Sequence, residues 1–345
     1  MEIEDLKVFR YIVVFVLCSL FLVPSMSAKK PQPKPVVPLS TEQEQQFTYY
    51  WYAAKQAIVD ERYDKAYVLL EFCHMLAPQD AQTLSLLGVL YGATGQKTRS
   101  MEAYKEAFEI APADQWYRYS DALLSLRTEE GKAAALQVYE KALTAQKAAV
   151  KAKKRDQLDE DLLENLRKLY MDSKQWKKAL AVQDDIDGLN GFNDYSAYYR
   201  FRIYSLWNKP KLALEVIDRY IETDPTDTRF MKFRLELMEQ AKAPKEELYA
   251  MYDRVLEVEP YNLEILNSYA YRLATQGGDL NKAEKMSAIT IREEPNNPNY
   301  LDTYGWILHL QGQDELALFY LKRALWNATE ESMRAEVERH MRQIK

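Results

Sequence analysis

Side chains able to do chemistry are few and scattered in this sequence. The three histidines, His74, His309 and His340, lie far apart in the chain, and none has a cysteine or a pair of acids beside it at metal-ligand spacing. No CxxC or HExxH motif, glycine-rich phosphate loop or nucleophile elbow occurs. Carboxylates are abundant, but they follow the polar faces of amphipathic helices. The sequence therefore predicts no catalytic site, no metal site and no cofactor, which leaves binding as the expected activity.

The densest group of such side chains lies in the stretch NYLDTYGWILHLQG, residues 299–312. Asp302, Trp306 and His309 are spaced four and then three residues apart. On a helix this spacing puts all three side chains on one face. An acid, a tryptophan and a histidine on a shared face suit contact with a partner.

Composition indicates a folded, helical protein that does not bind nucleic acid in general. Of the 345 residues, 47% are hydrophobic and 28% are charged, as in globular proteins. Only 10 glycines and 13 prolines interrupt the chain, which favours helices. The formal net charge of -6 argues against nucleic-acid binding, because neutralising phosphates requires clustered Lys and Arg.

The N-terminal residues resemble an export signal. Residues 11–23 form a mostly apolar run of signal-peptide length. The mostly small residues 25–28 follow, and cleavage could occur after residue 27 or 28. Residues 1–28 are thus expected to be a signal peptide, with an uncleaved membrane anchor as the alternative because acids stand at 2, 4 and 5. Residues 29–39 carry four prolines and predict an extended linker. These features predict a periplasmic or cell-envelope location.

A repeat of about 34 residues organises the rest of the chain. Prolines follow helical segments and are each followed two residues later by Asp or Asn: Pro78 and Asp80, Pro112 and Asp114, Pro225 and Asp227, Pro260 and Asn262, Pro295 and Asn297. A proline after a helix and a capping side chain before the next one mark helix boundaries. A second series, mostly of small residues, runs in phase and predicts the close crossing inside each helical hairpin: Ala66, Ser100, Ala135, Ala179, Ala213, Leu248, Ala283 and Ala317. This period is typical of helical solenoids.

The units resemble tetratricopeptide repeats, including those of exported bacterial proteins. The clearest match has Leu87, Gly88 and Tyr91 in its first helix and Tyr104, Ala107 and Pro112 in its second. The resemblance implies an all-α, right-handed solenoid of about eight hairpins over residues 40–328. Residues 329–345 are expected to form a C-terminal capping helix with a polar outer face. An insertion at 144–160, rich in Ala and Lys, should extend the helix before it.

The same resemblance implies that the first helix of each hairpin lines a concave groove. The positions expected to face the groove, and so to bind a partner, are Trp51, Lys55, Tyr117, Tyr195, Tyr198, Arg202, Asn267, Tyr271, Asp302, Trp306 and His309. Tyrosine in a solenoid often packs between repeats. The segment 194–207 is rich in tyrosine on all sides of its helix, so some of these side chains must belong to the hydrophobic core. Aromatic residues with Arg are nevertheless the residues that dominate protein interfaces.

The expected function is a non-catalytic scaffold that holds a peptide segment or protein domain of an envelope complex. A glycan ligand such as peptidoglycan is the alternative, because aromatic rings also stack on sugars. A membrane tether applies only if the N-terminal segment stays uncleaved. The Lys and Asn constellation with which some family members clamp a C-terminal carboxylate is not evident here, so a receptor for chaperone tails is disfavoured.

Overall fold

The computed structural model describes residues 38–344, and within them all regular structure is helical. The expected signal peptide and most of the proline-rich linker lie outside the described residues. In this range no helix combines the length and the apolar character that crossing a bilayer would require.

The seventeen helices of the described range are α1 (Thr41–Val59), α2 (Tyr63–Leu76), α3 (Ala81–Ala93), α4 (Lys97–Ile110), α5 (Trp116–Leu124), α6 (Glu129–Lys151), α7 (Glu160–Asp172), α8 (Trp176–Asn190), α9 (Asp194–Leu206), α10 (Pro210–Thr223), α11 (Thr228–Gln240), α12 (Lys245–Val258), α13 (Leu263–Thr275), α14 (Leu280–Glu293), α15 (Pro298–Leu310), α16 (Asp314–Asn327) and α17 (Glu331–Gln343).

Consecutive helices pair into hairpins, and α17 follows the eighth pair. The predicted α-solenoid with a C-terminal capping helix is therefore confirmed. Each of the eight residues predicted at the close crossings is buried in the second helix of its hairpin, from Ala66 in α2 to Ala317 in α16. Ser100 adds a polar tie, since its hydroxyl donates to the Gly88 carbonyl at 2.7 Å. Small side chains at this position let the two helices of a hairpin approach closely.

The chain divides into two compact units with the boundary after Ser100, inside α4. The first unit has a small core of alanines and leucines, at Ala54, Ala57, Ala66, Leu70, Leu87 and Leu90. The second unit, from Met101 onward, contains three further clusters of buried residues along its hairpins. Each cluster is built from consecutive helices, as expected of a repeat protein whose contacts are local.

Side-chain caps start the helices that the proline and Asp/Asn pattern predicted, with one exception. Asp80, Asp227, Asn262 and Asn297 each accept a hydrogen bond from the backbone of the following helix. The cap predicted at Asp114 is wrong. Its carboxylate instead lies 3.0 Å from the Arg155 guanidinium, and Gln115 begins α5 without a side-chain cap.

The turn inside every hairpin contains one residue in the left-handed region of backbone conformation. These residues are Glu61, Gly95, Arg127, Lys174, Asn208, Lys242, Gly277 and Gly312. At Gly312 the φ of 81° costs little, because glycine has no Cβ to collide with the carbonyl oxygen. The tight helix-to-helix turn is thus a shared feature of the hairpins, independent of the side chain that occupies it.

The insertion at 144–160 extends the preceding helix as predicted, up to Lys151. The buried Gln146 fixes the segment that returns to α7. Its amide nitrogen donates to the Ala113 carbonyl at 2.9 Å, and its amide oxygen accepts from the Asp159 backbone at 2.9 Å. This one side chain thus links the segment before α5 to the segment before α7.

At the C-terminal end of the second unit, α17 packs against α15 and α16. Val337 is fully buried, and Ile344 joins it in a cluster with Leu301 and Leu308. The opposite side of α17 carries exposed charges such as Glu338. This amphipathic arrangement covers the eighth hairpin.

Candidate partner-binding surface

Two of the predicted binding residues, Tyr198 and Arg202, line one cavity between α9 and α11. We call it the aromatic pocket; its volume is about 390 Å³, and its walls include Tyr198, Phe201, Arg202, Leu206, Phe233, Glu236 and Leu237. Tyr198 is 36% exposed, and the Arg202 guanidinium lies 6.0 Å from its ring centre. The pocket therefore joins exposed aromatic surface to one charge of each sign.

Phe233 forms the floor of the aromatic pocket. Its ring stacks on the buried Phe201 with centroids 4.7 Å apart, and the ring of Tyr198 lies 6.1 Å away. The sequence reasoning missed Phe233. The signal was available, since Phe233 follows Tyr198 by 35 residues, which is one repeat period.

Tyr195 belongs to a hydrogen-bond network between α7, α8 and α9 and not to the aromatic pocket. Its hydroxyl donates to Glu164 and accepts from Arg167 at 2.8 Å. Arg167 is only 2% exposed, donates to Gln183 at 2.6 Å and lies 3.5 Å from the ring centre of Tyr199. Burial and the bond to Glu164 raise the pKa of Tyr195 well above its usual value. These contacts tie neighbouring repeats together.

Three more predicted residues, Asn267, Tyr271 and Asp302, line a second cavity of about 210 Å³. We call it the C-terminal pocket, and it also contains Glu239, Ser268, Arg272, Asn299, Thr303, Met333 and Glu336. Residues from α11, α13, α15 and α17 thus meet at one place. The pocket is polar, and burial raises the pKa of Tyr271.

Asp302 is buried, contrary to the expectation of an open helix face. Its carboxylate oxygens lie 2.9 and 3.0 Å from Nδ1 of His340, and both side chains are only 5% exposed. Trp306 stacks on the same His340 ring at 4.5 Å. His309 lies 5.2 Å from the Trp306 ring, with its Nδ1 2.6 Å from Asp314. The three residues do share a face, but α17 covers most of it.

His340 and Glu336 are the residues of this region that sequence reasoning missed. The expectation that no histidine lies near a pair of acids is wrong in three dimensions, because folding brings His340 to Asp302, 38 residues away. The spacing of four between Glu336 and His340 puts them on one face of α17 and could have drawn attention to them. Asp302, Glu336 and His340 are the one group of three potential metal ligands in the described range whose ligand atoms lie within 4.8 Å of one another.

The remaining predicted residues lie apart from these pockets. In the first unit, Trp51 stacks on Phe47 with centroids 6.1 Å apart and packs on the small core, whereas Lys55 is exposed. In the second unit, Tyr117 is 60% exposed and contacts the edge of Trp116. Trp51 is thus partly structural, and Lys55 and Tyr117 are free surface.

These observations define the class of the protein: an α-helical repeat protein whose hairpins present polar and aromatic side chains on their first helices. Comparison with known families identifies one of the hairpins. Residues 81–114 match the family model described as Tetratricopeptide repeat, over one 34-residue unit comprising α3 and α4. The chain therefore contains a tetratricopeptide repeat unit at residues 81–114, and the other described helices are also arranged as consecutive hairpins.

Several solved structures are similar to this chain, all at low sequence identity. A tetratricopeptide repeat protein from Parabacteroides merdae is 13% identical, with 86% of this chain and 99% of that one covered and a TM-score of 0.38. The C-terminal part of a repeat protein from Cytophaga hutchinsonii is 13% identical, with coverages of 74% and 98% and a TM-score of 0.47. MamA is 15% identical, with coverages of 50% and 97% and a TM-score of 0.41. No curated protein matches the chain.

The matched repeat unit suggests a general role. Tetratricopeptide repeats typically bind protein partners and act as scaffolds, and such scaffolds are generally non-catalytic. The aromatic pocket and the C-terminal pocket are where this chain offers concave surface on the first helices of its hairpins.

Proposed function

We propose that this protein is a non-catalytic scaffold of the cell envelope that binds an extended segment of a protein partner along the first helices of the second unit. The observation that carries the proposal is the aromatic pocket, where Tyr198, Arg202 and Phe233 from successive repeats surround one cavity. Its volume of about 390 Å³ falls within the usual range for ligand-binding cavities.

The chemistry of the aromatic pocket favours a peptide with an apolar anchor. Phe233 is held in place by Phe201, so the aromatic wall is preorganised and loses little entropy on binding. Tyr198 and Arg202 are of the residue types that supply most of the energy in protein interfaces. Arg202 and Glu236 carry opposite charges at the same cavity and would set the direction of a bound chain.

The test begins with identification of the partner by photo-crosslinking in native cells. A photoreactive phenylalanine analogue at position 233 should capture one partner, and the same analogue at the 73% exposed Tyr261 serves as the control position. Binding of the peptide identified in this way is then measured by fluorescence anisotropy.

We expect Tyr198→Ala and Arg202→Ala each to weaken peptide binding by at least about 10-fold, because truncation of a central interface residue commonly costs 2 kcal/mol or more. Tyr261→Ala should bind as the wild type does. If both pocket variants are folded, by circular dichroism, and bind with unchanged affinity, the aromatic pocket is not the binding site.

Location and ligand class have separate tests. Export is supported by the apolar run and small residues of segment 1–28, and a mature mass that lacks those residues would support cleavage. Sedimentation with purified peptidoglycan distinguishes the glycan alternative. A scaffold for proteins alone stays in the supernatant, whereas co-sedimentation abolished by Tyr198→Ala would reassign the pocket to a glycan.

A further inference from the structure

Three potential metal ligands meet where α17 packs on α15. One oxygen of Asp302, one oxygen of Glu336 and one ring nitrogen of His340 all lie within 4.8 Å of one another. Asp302 and His340 are buried, and Glu336 is half-buried at the rim of the C-terminal pocket. Exposed acids often lie near one another without purpose, but the buried carboxylate of Asp302 and the buried imidazole of His340 require compensation for their desolvation.

The charge of the C-terminal pocket is unbalanced towards the negative. Glu239 and Arg272 neutralise each other, with Arg272 Nη2 3.2 Å from the Glu239 carboxylate. In the described part of the chain, no Lys or Arg forms an ion pair with Asp302 or Glu336. Two carboxylates therefore border this cavity beside a histidine, with no Lys or Arg paired to them among the described residues, and a divalent ion would cancel their charge.

An independent observation in the same cavity also points to a ligand. Oδ1 of Asn267 lies in the wall of the C-terminal pocket, is inaccessible to solvent and has no hydrogen-bond partner among the described residues. A buried amide oxygen without a donor is costly, by roughly 1–3 kcal/mol. A water molecule on a bound metal ion would supply that donor, and the cavity of about 210 Å³ has room for such water.

We propose that Asp302, Glu336 and His340 bind one divalent transition-metal ion, with Zn²⁺ or Mn²⁺ as the class. Mixed nitrogen and carboxylate donors suit these ions, whereas Mg²⁺ and Ca²⁺ prefer oxygen alone.

The ion would join α15 to α17. Asp302 lies in the first turns of α15, whereas Glu336 and His340 both belong to α17, so one ion crosslinks the last hairpin to the helix that covers it. An ion that binds the folded chain and not the unfolded chain raises the free energy of unfolding. The increase grows with the logarithm of the ion concentration divided by Kd. This inference does not depend on the identity of the peptide partner.

The experiment is a titration of the full chain, treated with EDTA and dialysed, with ZnCl₂ by isothermal calorimetry. We expect one Zn²⁺ per chain and a rise in Tm on saturation. Glu336→Gln and His340→Gln should each weaken binding by at least about 100-fold, since loss of outer-sphere partners alone costs about 10- to 100-fold. Glu336→Gln removes a ligand while preserving the size of the side chain.

His309→Gln is the matched control, because His309 lies in α15 but pairs with Asp314 and is not one of the three ligands. It should bind Zn²⁺ as the wild type does. The proposal is overturned if the wild type shows no saturable binding, or if Glu336→Gln binds with unchanged affinity and stoichiometry. Should His340→Gln fail to fold, Glu336→Gln and the Tm of the wild type with and without Zn²⁺ decide the matter.

Discussion

The indole of Trp306 in α15 stacks on the imidazole of His340 in α17, with ring centroids 4.5 Å apart and an angle of 21° between the planes. The same imidazole pairs through Nδ1 with the buried Asp302. One side chain of the capping helix is therefore fixed by two residues of the last hairpin, spaced four apart. This explains why an aromatic and an acid that the repeat pattern does not require are present in α15.

We predict that Trp306→Ala loosens the capping helix and lowers the free energy of unfolding of the chain. The expected loss is about 3 kcal/mol, the lower end for truncation of a packed tryptophan, since Trp306 is only partly buried. Denaturation in urea measures the loss, and hydrogen exchange should show earlier opening of α17.

Trp326→Ala is the matched control for this change. Trp326 in α16 is 88% exposed, so its removal should alter the free energy of unfolding by no more than about 0.5 kcal/mol. Equal losses in the two variants would contradict the role assigned to the stack on His340.

Gly305 is predicted to be required for the close approach of α15 and α16. A Cβ at this position would lie 2.9 Å from Cγ of Leu321 and 3.2 Å from the Ala317 carbonyl oxygen. We expect Gly305→Ala to destabilise the chain by about 1–3 kcal/mol through overpacking. Thermal and urea unfolding measure the change.

Gly188→Ala provides the comparison, because a Cβ at Gly188 in α8 would meet nothing within 4 Å. There alanine should leave stability unchanged or raise it by up to about 1 kcal/mol, through its higher helix propensity. If both substitutions had the same sign and size, close packing would not be the reason for the glycine at 305.

Much of this fold could be read from the sequence, because repeat proteins are built from local contacts. The in-phase series of small residues located the crossing in every hairpin, and four of the five expected caps are present. The turns were harder. Glu61 and Lys174 adopt a positive φ because the flanking helices fix the backbone there. In the sequence, only a glycine at these positions would have indicated such a turn.

The candidate site was less predictable for a physical reason. The register of the repeat identifies residues on the first helices, and of these Asn267, Tyr271 and Asp302 line one cavity. It carries no information on contacts outside the repeat. Hence it could not show that α17 covers Asp302, or that Arg167 and Glu164 engage the hydroxyl of Tyr195.

The ion pair between Glu259 and Lys232 is predicted to make stability depend on pH in the acidic range. Lys232 at 2.8 Å and the Thr228 hydroxyl hold the pKa of Glu259 at about 2, against an ordinary value of 4.5. Because the folded pKa is the lower one, the stabilisation is complete above about pH 4.5 and is lost as the pH falls towards 2.

We therefore expect the wild type to exceed Glu259→Gln in free energy of unfolding at pH 7, and the difference to shrink by pH 3. The pair is about one-third exposed, so the difference should be about 1 kcal/mol or less. Urea unfolding at both pH values measures it. The exposed Glu257, replaced by Gln, should follow the wild-type profile, and a Glu259→Gln difference that grows on acidification would contradict the assignment.

Tyr195 and Tyr198 are predicted to differ in role although they stand on the same helix. Tyr195→Phe removes a hydroxyl that the buried Arg167 and the Glu164 carboxylate both use, so we expect a loss of about 1–3 kcal/mol in the free energy of unfolding. Tyr198→Phe removes a hydroxyl from a ring that is 36% exposed and should cost no more than about 0.5 kcal/mol. Urea denaturation of the two variants beside the wild type measures both losses.

The affinity for the crosslinked peptide should depend on Tyr198 and not on the hydroxyl of Tyr195. Tyr198→Ala should weaken binding, and Tyr195→Phe should leave the affinity within about twofold of the wild type as long as the protein is folded. If Tyr195→Phe were as stable as the wild type and lost peptide binding, Tyr195 would be a contact residue and the buried network around Arg167 would not be its function.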